Sequence, residues 1–217
     1  MKRRMAFMIF LACLLVLCCG TLSAQEERWV YSYNGPVDSI DDAYSIVMGT
    51  DGNLYAAGES HGTGTSSDFI VVSLSLSGTE RWVYRYKGPA NNRDFAYSIV
   101  MGTDGNLYAA GYSKGNGTYD DLTVISLDTS GTERWVYRYD GPANHRDFAY
   151  SIVMGTDGNL YAAGSSRGSG TGSDLTVISL DTSGTERWVY RYNGPGEGTD
   201  KARSIVAGGD GHIYVAG

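Results

Sequence analysis

The chain has 217 residues, and its 24 acidic and 17 basic side chains give a formal net charge of −7 at neutral pH. We therefore expect no binding to nucleic acid or to anionic lipid, since both repel an acidic protein whose basic residues are dispersed. The length and the 42% hydrophobic content are sufficient for a folded core.

Residues 1–24 are predicted to be a secretory signal peptide. Three basic residues follow Met1, an unbroken apolar run extends from Met5 to Cys19, and a small-residue segment ends at Ala24, the predicted cleavage point. The run is shorter than the roughly 20 residues of a membrane-spanning helix, and an uncleaved anchor is the alternative. We expect a secreted or extracytoplasmic protein, without membrane contact after cleavage. All the cysteines lie in this leader, which predicts a mature chain without disulfides: Cys13, Cys18 and Cys19.

A 53-residue repeat organises the rest of the chain, residues 25–217. The sequence Glu-Arg-Trp-Val-Tyr begins at residues 27, 80, 133 and 186. One copy contains four short runs that are rich in β-branched and aromatic residues and bounded by Gly, Asp, Asn or Ser, which is typical of strands. In the second full copy these runs are Tyr97 to Gly102, Leu107 to Ser113, Leu122 to Asp128, and Arg134 to Tyr139.

Four strands in every repeat, without helical periodicity, predict an all-β chain in which each repeat is one antiparallel blade of a β-propeller. The predicted elements are an outer strand at 27–33, full blades at about 41–86, 94–139 and 147–192, and a partial blade at 200–217. This gives fifteen strands. We interpret the chain as a truncated ring that further blades would complete. A four-bladed ring with a defective closing blade is the alternative.

The last strand of each repeat has an aromatic face. Alternation along the strand places Trp82, Tyr84 and Tyr86 on one side, where a neighbouring blade is expected to cover them. We predict that one tryptophan per repeat docks adjacent blades: Trp29, Trp82, Trp135 and Trp188. The small residues Ala109, Ala110 and Gly111 are consistent with strands crowded near a central axis.

Four elements recur in order: Asp-x-Ala-x-Ser-Ile-Val, Asp-Gly-Asn-x-Tyr-x-x-Gly, Asp-(Leu/Phe)-x-Val-x-x-Leu and Ser-Gly-x-x-x-Trp. This pattern resembles the bacterial β-propeller repeat called SBBP, over residues 27–217. The resemblance implies an extracytoplasmic propeller, often part of a larger secreted or surface protein, and brings no catalytic residues. The segment Asp128 to Trp135 is also similar, more weakly, to quinoprotein dehydrogenase repeats, which implies a blade-docking tryptophan. The resemblance says little about a quinone, whose site needs other residues and calcium ligands that the sequence does not show.

Two sets of aspartates recur at strand starts. Asp41, Asp94, Asp147 and Asp200 precede the first strand of each blade, whereas Asp68, Asp121 and Asp174 precede the third. We expect each carboxylate to accept backbone N–H bonds and fix a loop, because one carboxylate per loop supplies too few oxygens for calcium. Calcium ligation and a ring of acids are the alternatives. No metal or other cofactor is expected.

No catalytic constellation is evident in the sequence. The three histidines occupy different positions in their repeats, and no serine stands in a nucleophile elbow. The near-identical repeats also indicate no residue set that would break the symmetry of the centre, although they differ at Glu59, Tyr112 and Ser165. We therefore predict a non-enzymatic binding or scaffold module. A propeller enzyme, either a lyase or a quinoprotein-like module, is the alternative.

The connections between strands fall into two groups. Those at 103–106 and 129–132 are tight and repeated, whereas those at 88–94, 114–121, 141–147 and 167–174 are long and variable. Antiparallel topology places the long loops on one face, where binding groups can vary without cost to the fold. We predict that a protein or carbohydrate partner binds this face, unless the loops merely vary under weak constraint. The candidate contacts are Asn92, Lys114, Tyr119, His145 and Arg167.

Overall fold

The computed structural model describes residues 27–196 and 198–217, so the predicted signal peptide lies outside the described residues. The described chain is all-β, as predicted, and none of it forms a helix long and apolar enough to cross a membrane. Its strands are β1 (Asp41–Met48), β2 (Leu54–His61), β3 (Ser67–Leu74), β4 (Glu80–Tyr86), β5 (Asp94–Met101), β6 (Leu107–Lys114), β7 (Asp120–Leu127), β8 (Glu133–Tyr139), β9 (Asp147–Met154), β10 (Leu160–Arg167), β11 (Ser173–Leu180), β12 (Glu186–Tyr192), β13 (Ser204–Ala207) and β14 (Ile213–Ala216).

The strands form three four-stranded antiparallel sheets and one hairpin. The sheets run β1-β2-β3-β4, β5-β6-β7-β8 and β9-β10-β11-β12, and β13 pairs with β14. Each sheet connects consecutive strands, so the tight turns and the long loops emerge at opposite ends. The tight turns use glycine in the left-handed region, as at Gly105 (φ 78°) and Gly131 (φ 87°). One sheet therefore corresponds to one predicted blade.

Neighbouring sheets pack face to face around apolar cores. Between the first two sheets, Tyr55, Phe69 and Val71 meet Leu107 and Ile125, and the partly buried aromatic residues of β4 cover the edge. The equivalent residues form the core between the second and third sheets. Serine hydroxyls also join the first strands, since Ser45 Oγ accepts the Ile99 amide at 3.2 Å and Ser98 Oγ accepts the Ile152 amide at 3.2 Å. The repeat therefore reproduces one interface.

A β-bulge interrupts the first strand of each sheet. In β5 the pairing with β6 shifts between Ala96 and Ser98, so that Tyr97 has no partner on β6. A glycine is needed opposite the bulge, because a Cβ on Gly111 would lie 1.7 Å from the carbonyl oxygen of Phe95. The first and third sheets have the same shift, at Tyr44 and at Tyr150. A bulge redirects the side chain that it leaves unpaired, here a tyrosine each time.

The described strands number fourteen, one fewer than predicted, because residues 27–33 form no strand. An outer strand requires a third strand beside it, and within the described ranges none lies next to this segment. Its aromatic side chains nevertheless pack on the outer face of the first sheet: Trp29, Tyr31 and Tyr33 lie against Ile70 and Leu74. The segment thus covers the first sheet as β4 covers the second.

The outer face of the third sheet is only partly covered. The hairpin β13–β14 places Ile213 and Val215 against it, but no described third strand lies beyond β14. The aromatic residues of β12 consequently line an open groove, and Trp188, Tyr190 and Tyr192 are 41%, 54% and 46% exposed.

Candidate functional site

Three tyrosines form a row across the sheets, about halfway along the first strand of each. They are the bulge residues Tyr44, Tyr97 and Tyr150, one from the first strand of each sheet. Ring centroids are 5.3 Å apart between Tyr44 and Tyr97, and 5.8 Å apart between Tyr97 and Tyr150. Tyr44 is 44% exposed. We call these residues the tyrosine row.

Charged groups stand at the two ends of the tyrosine row. At one end the Tyr44 hydroxyl donates to Glu59 Oε1 at 2.6 Å, and Glu59 is buried. Burial and this hydrogen bond raise the pKa of Tyr44 well above its usual range. At the other end the guanidinium of Arg203 lies 5.0 Å from the Tyr150 ring centroid, a cation–π distance. The row therefore has an acidic end and a basic end.

Further aromatic rings support the middle of the row. Tyr112 stacks on Phe95 at 4.9 Å and meets the edge of Phe148 at the same distance. Its neighbour Tyr97 has a pKa raised to about 12, mainly by burial. The five rings in contact are those of Phe95, Tyr97, Tyr112, Phe148 and Tyr150. Because each ring is held by its neighbours, it has little freedom to reorient, and the surface is preorganised.

This arrangement corrects the expectation that the repeats provide no symmetry-breaking centre. At one repeat position the three sheets present Glu59, Tyr112 and Ser165, the first two beside the tyrosine row. At another, tyrosine in three repeats is replaced by Arg203 in the fourth. The sequence carried this signal in the differences between copies. The differences could not be assigned to one surface from the sequence, because the side chain of a bulged residue does not follow the alternation of the other strand residues.

A second cluster joins two long loops. The rings of Tyr119 and His145 stack at 4.6 Å and 16°, and Lys114 Nζ lies 4.4 Å from the Tyr119 centroid. Beside them Arg146 forms an ion pair with Asp120 at 3.4 Å. Three of the five candidate contacts from the sequence are thus brought together.

The other two candidates lie apart from that cluster. The side chain of Asn92 accepts the amide of Arg93 at 2.9 Å and so shapes its own loop. Arg167 is exposed at the end of β10, where its amide donates to the carbonyl of Arg146 at 3.3 Å. All five residues lie at the long-loop end, and their role in binding remains a prediction.

The aspartates of the third strands pair with arginine, which corrects the expectation that they accept backbone N–H bonds. Asp68 accepts Arg85 at 2.7 Å, and Asp121 accepts Arg138 at 2.6 Å. Arg138 also donates to the Ser113 hydroxyl at 2.6 Å, which anchors the second sheet internally. The third sheet repeats the pair with Asp174 and Arg191 at 2.8 Å. These arginines stabilise the long-loop end of every sheet.

The aspartates of the first strands do accept backbone amides. Asp41 accepts the Gly35 amide at 3.0 Å, Asp147 accepts Gly141 at 2.8 Å and Asp200 accepts Gly194 at 2.8 Å, whereas Asp94 accepts Lys114 at 3.1 Å. Burial raises the pKa of Asp94 to about 7 and the pKa of Asp147 to about 6. The amide bonds counteract this rise only in part.

We expect the contribution of Asp94 to the stability of the protein to fall as pH rises from about 4 to about 7. Unfolded aspartate titrates near pH 4, about the ordinary value, whereas folded Asp94 keeps its proton to about pH 7. The folded state therefore holds more protons in this window, so raising the pH favours unfolding. Asp94→Asn should flatten this slope, as measured by urea unfolding at several pH values with a chelator present. Asp38→Asn, an exposed control, should leave it unchanged, and equal slopes in all three proteins would contradict the assignment.

The aspartates of the tight turns serve the turns themselves. Asp104 Oδ1 accepts the Asn106 amide at 3.1 Å, and its Oδ2 accepts the Tyr108 hydroxyl at 2.6 Å. These hydrogen bonds, together with Arg134, lower the pKa of Asp104 against the opposing effect of burial. The short-turn end is therefore occupied by structural contacts.

Comparisons with known proteins assign no family. No family model matches the chain, and no curated protein matches it. Among solved structures it is similar to a protein of unknown function from Dyadobacter fermentans DSM 18053 (14% identity, TM-score 0.49, covering 81% of this chain and 62% of that one). It is also similar to an α-L-arabinofuranosidase from Clostridium thermocellum ATCC 27405 (17% identity, TM-score 0.46, covering 79% and 58%).

A third similar structure is a fucose lectin from Kordia zhangzhouensis in complex with methyl-fucoside (9% identity, TM-score 0.39, covering 68% of this chain and 95% of that one). The chain spans less than two thirds of the length of the first two structures. At these identities and TM-scores, none of the three assigns a ligand.

Proposed function

We propose that the protein is a non-enzymatic binding module that holds a carbohydrate along the tyrosine row. The row carries this proposal: three tyrosine rings, spaced by 5.3 and 5.8 Å, follow one another across three sheets. This spacing is close to the length of one sugar unit in an extended glycan. Aromatic faces pack against the C–H surface of sugars, while hydroxyl, carboxylate and guanidinium groups meet their hydroxyls.

The ends of the row favour a polar, extended ligand. Glu59 accepts hydrogen bonds at one end, and Arg203 can only donate them at the other. The Lys114–Tyr119–His145 cluster extends the same polar and aromatic character outward along the long loops. A rigid aromatic surface also reduces the entropy that is lost on binding.

We further propose the context of this module. The repeat pattern, its SBBP resemblance and the leader-like first residues support an exported propeller, part of a larger secreted or surface protein. The open aromatic face of β12 favours a ring in which further strands complete the last blade. Purification of the natural protein from its cells, followed by fractionation and intact-mass measurement, tests both export and length.

Binding to a glycan array tests the main proposal. We expect Tyr44→Ala to weaken binding of the selected glycan about tenfold, because an aromatic contact and a hydroxyl are lost together. Tyr44 suits this test because it is 44% exposed. Its replacement also removes the hydrogen bond to buried Glu59, so urea unfolding of the variant checks that the fold is retained. The matched control is Tyr190→Ala, which removes a tyrosine of comparable exposure (54%) from β12 and should leave the affinity unchanged.

Two results would overturn the proposal. One is the absence of glycan binding on a broad array with the folded protein. The other is full affinity in Tyr44→Ala together with loss of affinity in Lys114→Ala or Tyr119→Ala, which would locate the ligand on the outer loops instead.

A further inference from the structure

We propose that a calcium ion binds between the second and third sheets, at Asp121, Asp140 and Asp147. Ligand oxygens of these three carboxylates all lie within 4.8 Å of one another. Asp121 begins the buried part of β7, Asp140 follows β8, and Asp147 begins β9. Strand ends from two sheets thus converge on one point, independently of any carbohydrate at the tyrosine row.

The two buried members of the cluster each have an unused oxygen. Asp121 Oδ2 already accepts the Thr118 hydroxyl at 2.9 Å and Arg138 at 2.6 Å. Asp147 Oδ2 accepts the Gly141 amide at 2.8 Å. The Oδ1 atoms of both residues are buried and have no partner in hydrogen-bond geometry. A buried carboxylate oxygen without a partner is costly, and a cation would satisfy both atoms at once.

The excess negative charge of the cluster also favours the binding of a cation. Three carboxylates face a single guanidinium, that of Arg138, because Arg146 is engaged by Asp120. Calcium prefers carboxylate and carbonyl oxygens, and exposed Asp140 leaves room for water to complete its coordination.

The other sheet interfaces explain why one site is expected rather than three. The position of Asp140 is occupied by Lys87 in the preceding repeat and by Asn193 in the following one. Lys87 supplies a positive charge of its own, and Asn193 removes one carboxylate. Among residues 27–196 and 198–217, only the interface of the second and third sheets therefore offers three carboxylates. The ion would join the loops that carry Tyr119 and His145.

Calorimetric titration of the purified full chain with CaCl2, after treatment with a chelator, tests this inference. We expect one ion per chain, with a Kd of roughly 0.1–1 mM, the range of extracellular calcium modules. Calcium should also raise the Tm, by an amount that grows with the logarithm of its concentration above Kd, since it binds the folded state alone. Magnesium should bind more weakly, because it accepts irregular oxygen cages poorly.

Matched variants locate the ion. Asp140→Asn introduces the residue that the next repeat has at this position, and should weaken calcium binding at least tenfold while leaving the Tm in chelator unchanged or higher. Asp38→Asn removes the same charge from another exposed loop position and should bind as the parent does. Absence of binding at 10-fold above the expected Kd would overturn the proposal. Calcium affinity equal to that of the parent protein in both Asp140→Asn and Asp147→Asn would also overturn it.

Discussion

Trp135→Ala is expected to reduce the free energy of unfolding by about 3 kcal/mol, within the range for large-to-small changes at packed aromatic residues. Trp135 lies between the second and third sheets, where its indole packs over Gly184 and 5.8 Å from the ring centroid of Tyr108. Its Nε1 donates to the carbonyl of Thr182 at 3.1 Å. The variant would lose this hydrogen bond and open a cavity between the sheets.

Trp188→Ala is the matched control, since the same residue type stands at the same position of the next repeat. Trp188 is 41% exposed because the face of β12 is only partly covered. We expect its replacement to cost less than about 1 kcal/mol. Urea unfolding of both variants measures the difference. Trp135 contacts the next sheet, whereas Trp188 has mainly the contacts within its own sheet. Similar losses of stability in the two variants would therefore contradict the inference that the contact with the next sheet provides the stability.

Gly111→Ala is expected to destabilise the protein by about 3 kcal/mol or more, the upper part of the range for steric overpacking. The added Cβ would lie 1.7 Å from the carbonyl oxygen of Phe95, and a backbone atom cannot move aside as the end of a side chain can. Relief of the clash requires β5 to separate from β6 at the bulge. The variant should therefore also displace Tyr97 from the tyrosine row.

Gly105→Ala is the control for Gly111→Ala, because it replaces a glycine without creating a steric clash. Gly105 has a left-handed backbone (φ 78°) with nothing within 4 Å of an added Cβ. Its replacement should cost about 1–2 kcal/mol, through backbone strain alone. Urea unfolding compares the two variants. If Gly111→Ala proved no more destabilising than Gly105→Ala, the close approach at the bulge would be refuted.

Much of the fold could be predicted from the sequence because the repeat fixes the strand boundaries several times over. The prediction placed the second blade from about residue 94 but began its first strand at Tyr97, whereas β5 begins at Asp94. The difference arises because Asp94 accepts the Lys114 amide and so continues the sheet, although aspartate is typical of a loop. Composition alone does not show that the side chain of Asp94 bonds to the neighbouring strand and not to its own loop.

The candidate site was harder to predict, for two physical reasons. Tyr97 occupies a bulge, so the alternation that places other strand residues does not apply to it. The Asp121–Arg138 pair joins residues seventeen positions apart, and the register of β7 with β8, not propensity, brings them together. The grouping of the long loops at one end of the sheets could be predicted, because consecutive antiparallel strands place alternate connections at the same end.

The tight turns also have a kinetic consequence. The sequence Glu-Arg-Trp-Val-Tyr-Arg-Tyr occurs identically in β4, β8 and β12, so β7 meets three chemically equal partners during folding. Contact energy cannot distinguish among them, and only the length of chain that must be closed differs. Closing the turn around Gly131 orders a few residues, whereas pairing with β12 would order more than a whole repeat. In a protein of near-identical copies, loop entropy thus selects the native pairing, and the shortest turns set the folding order.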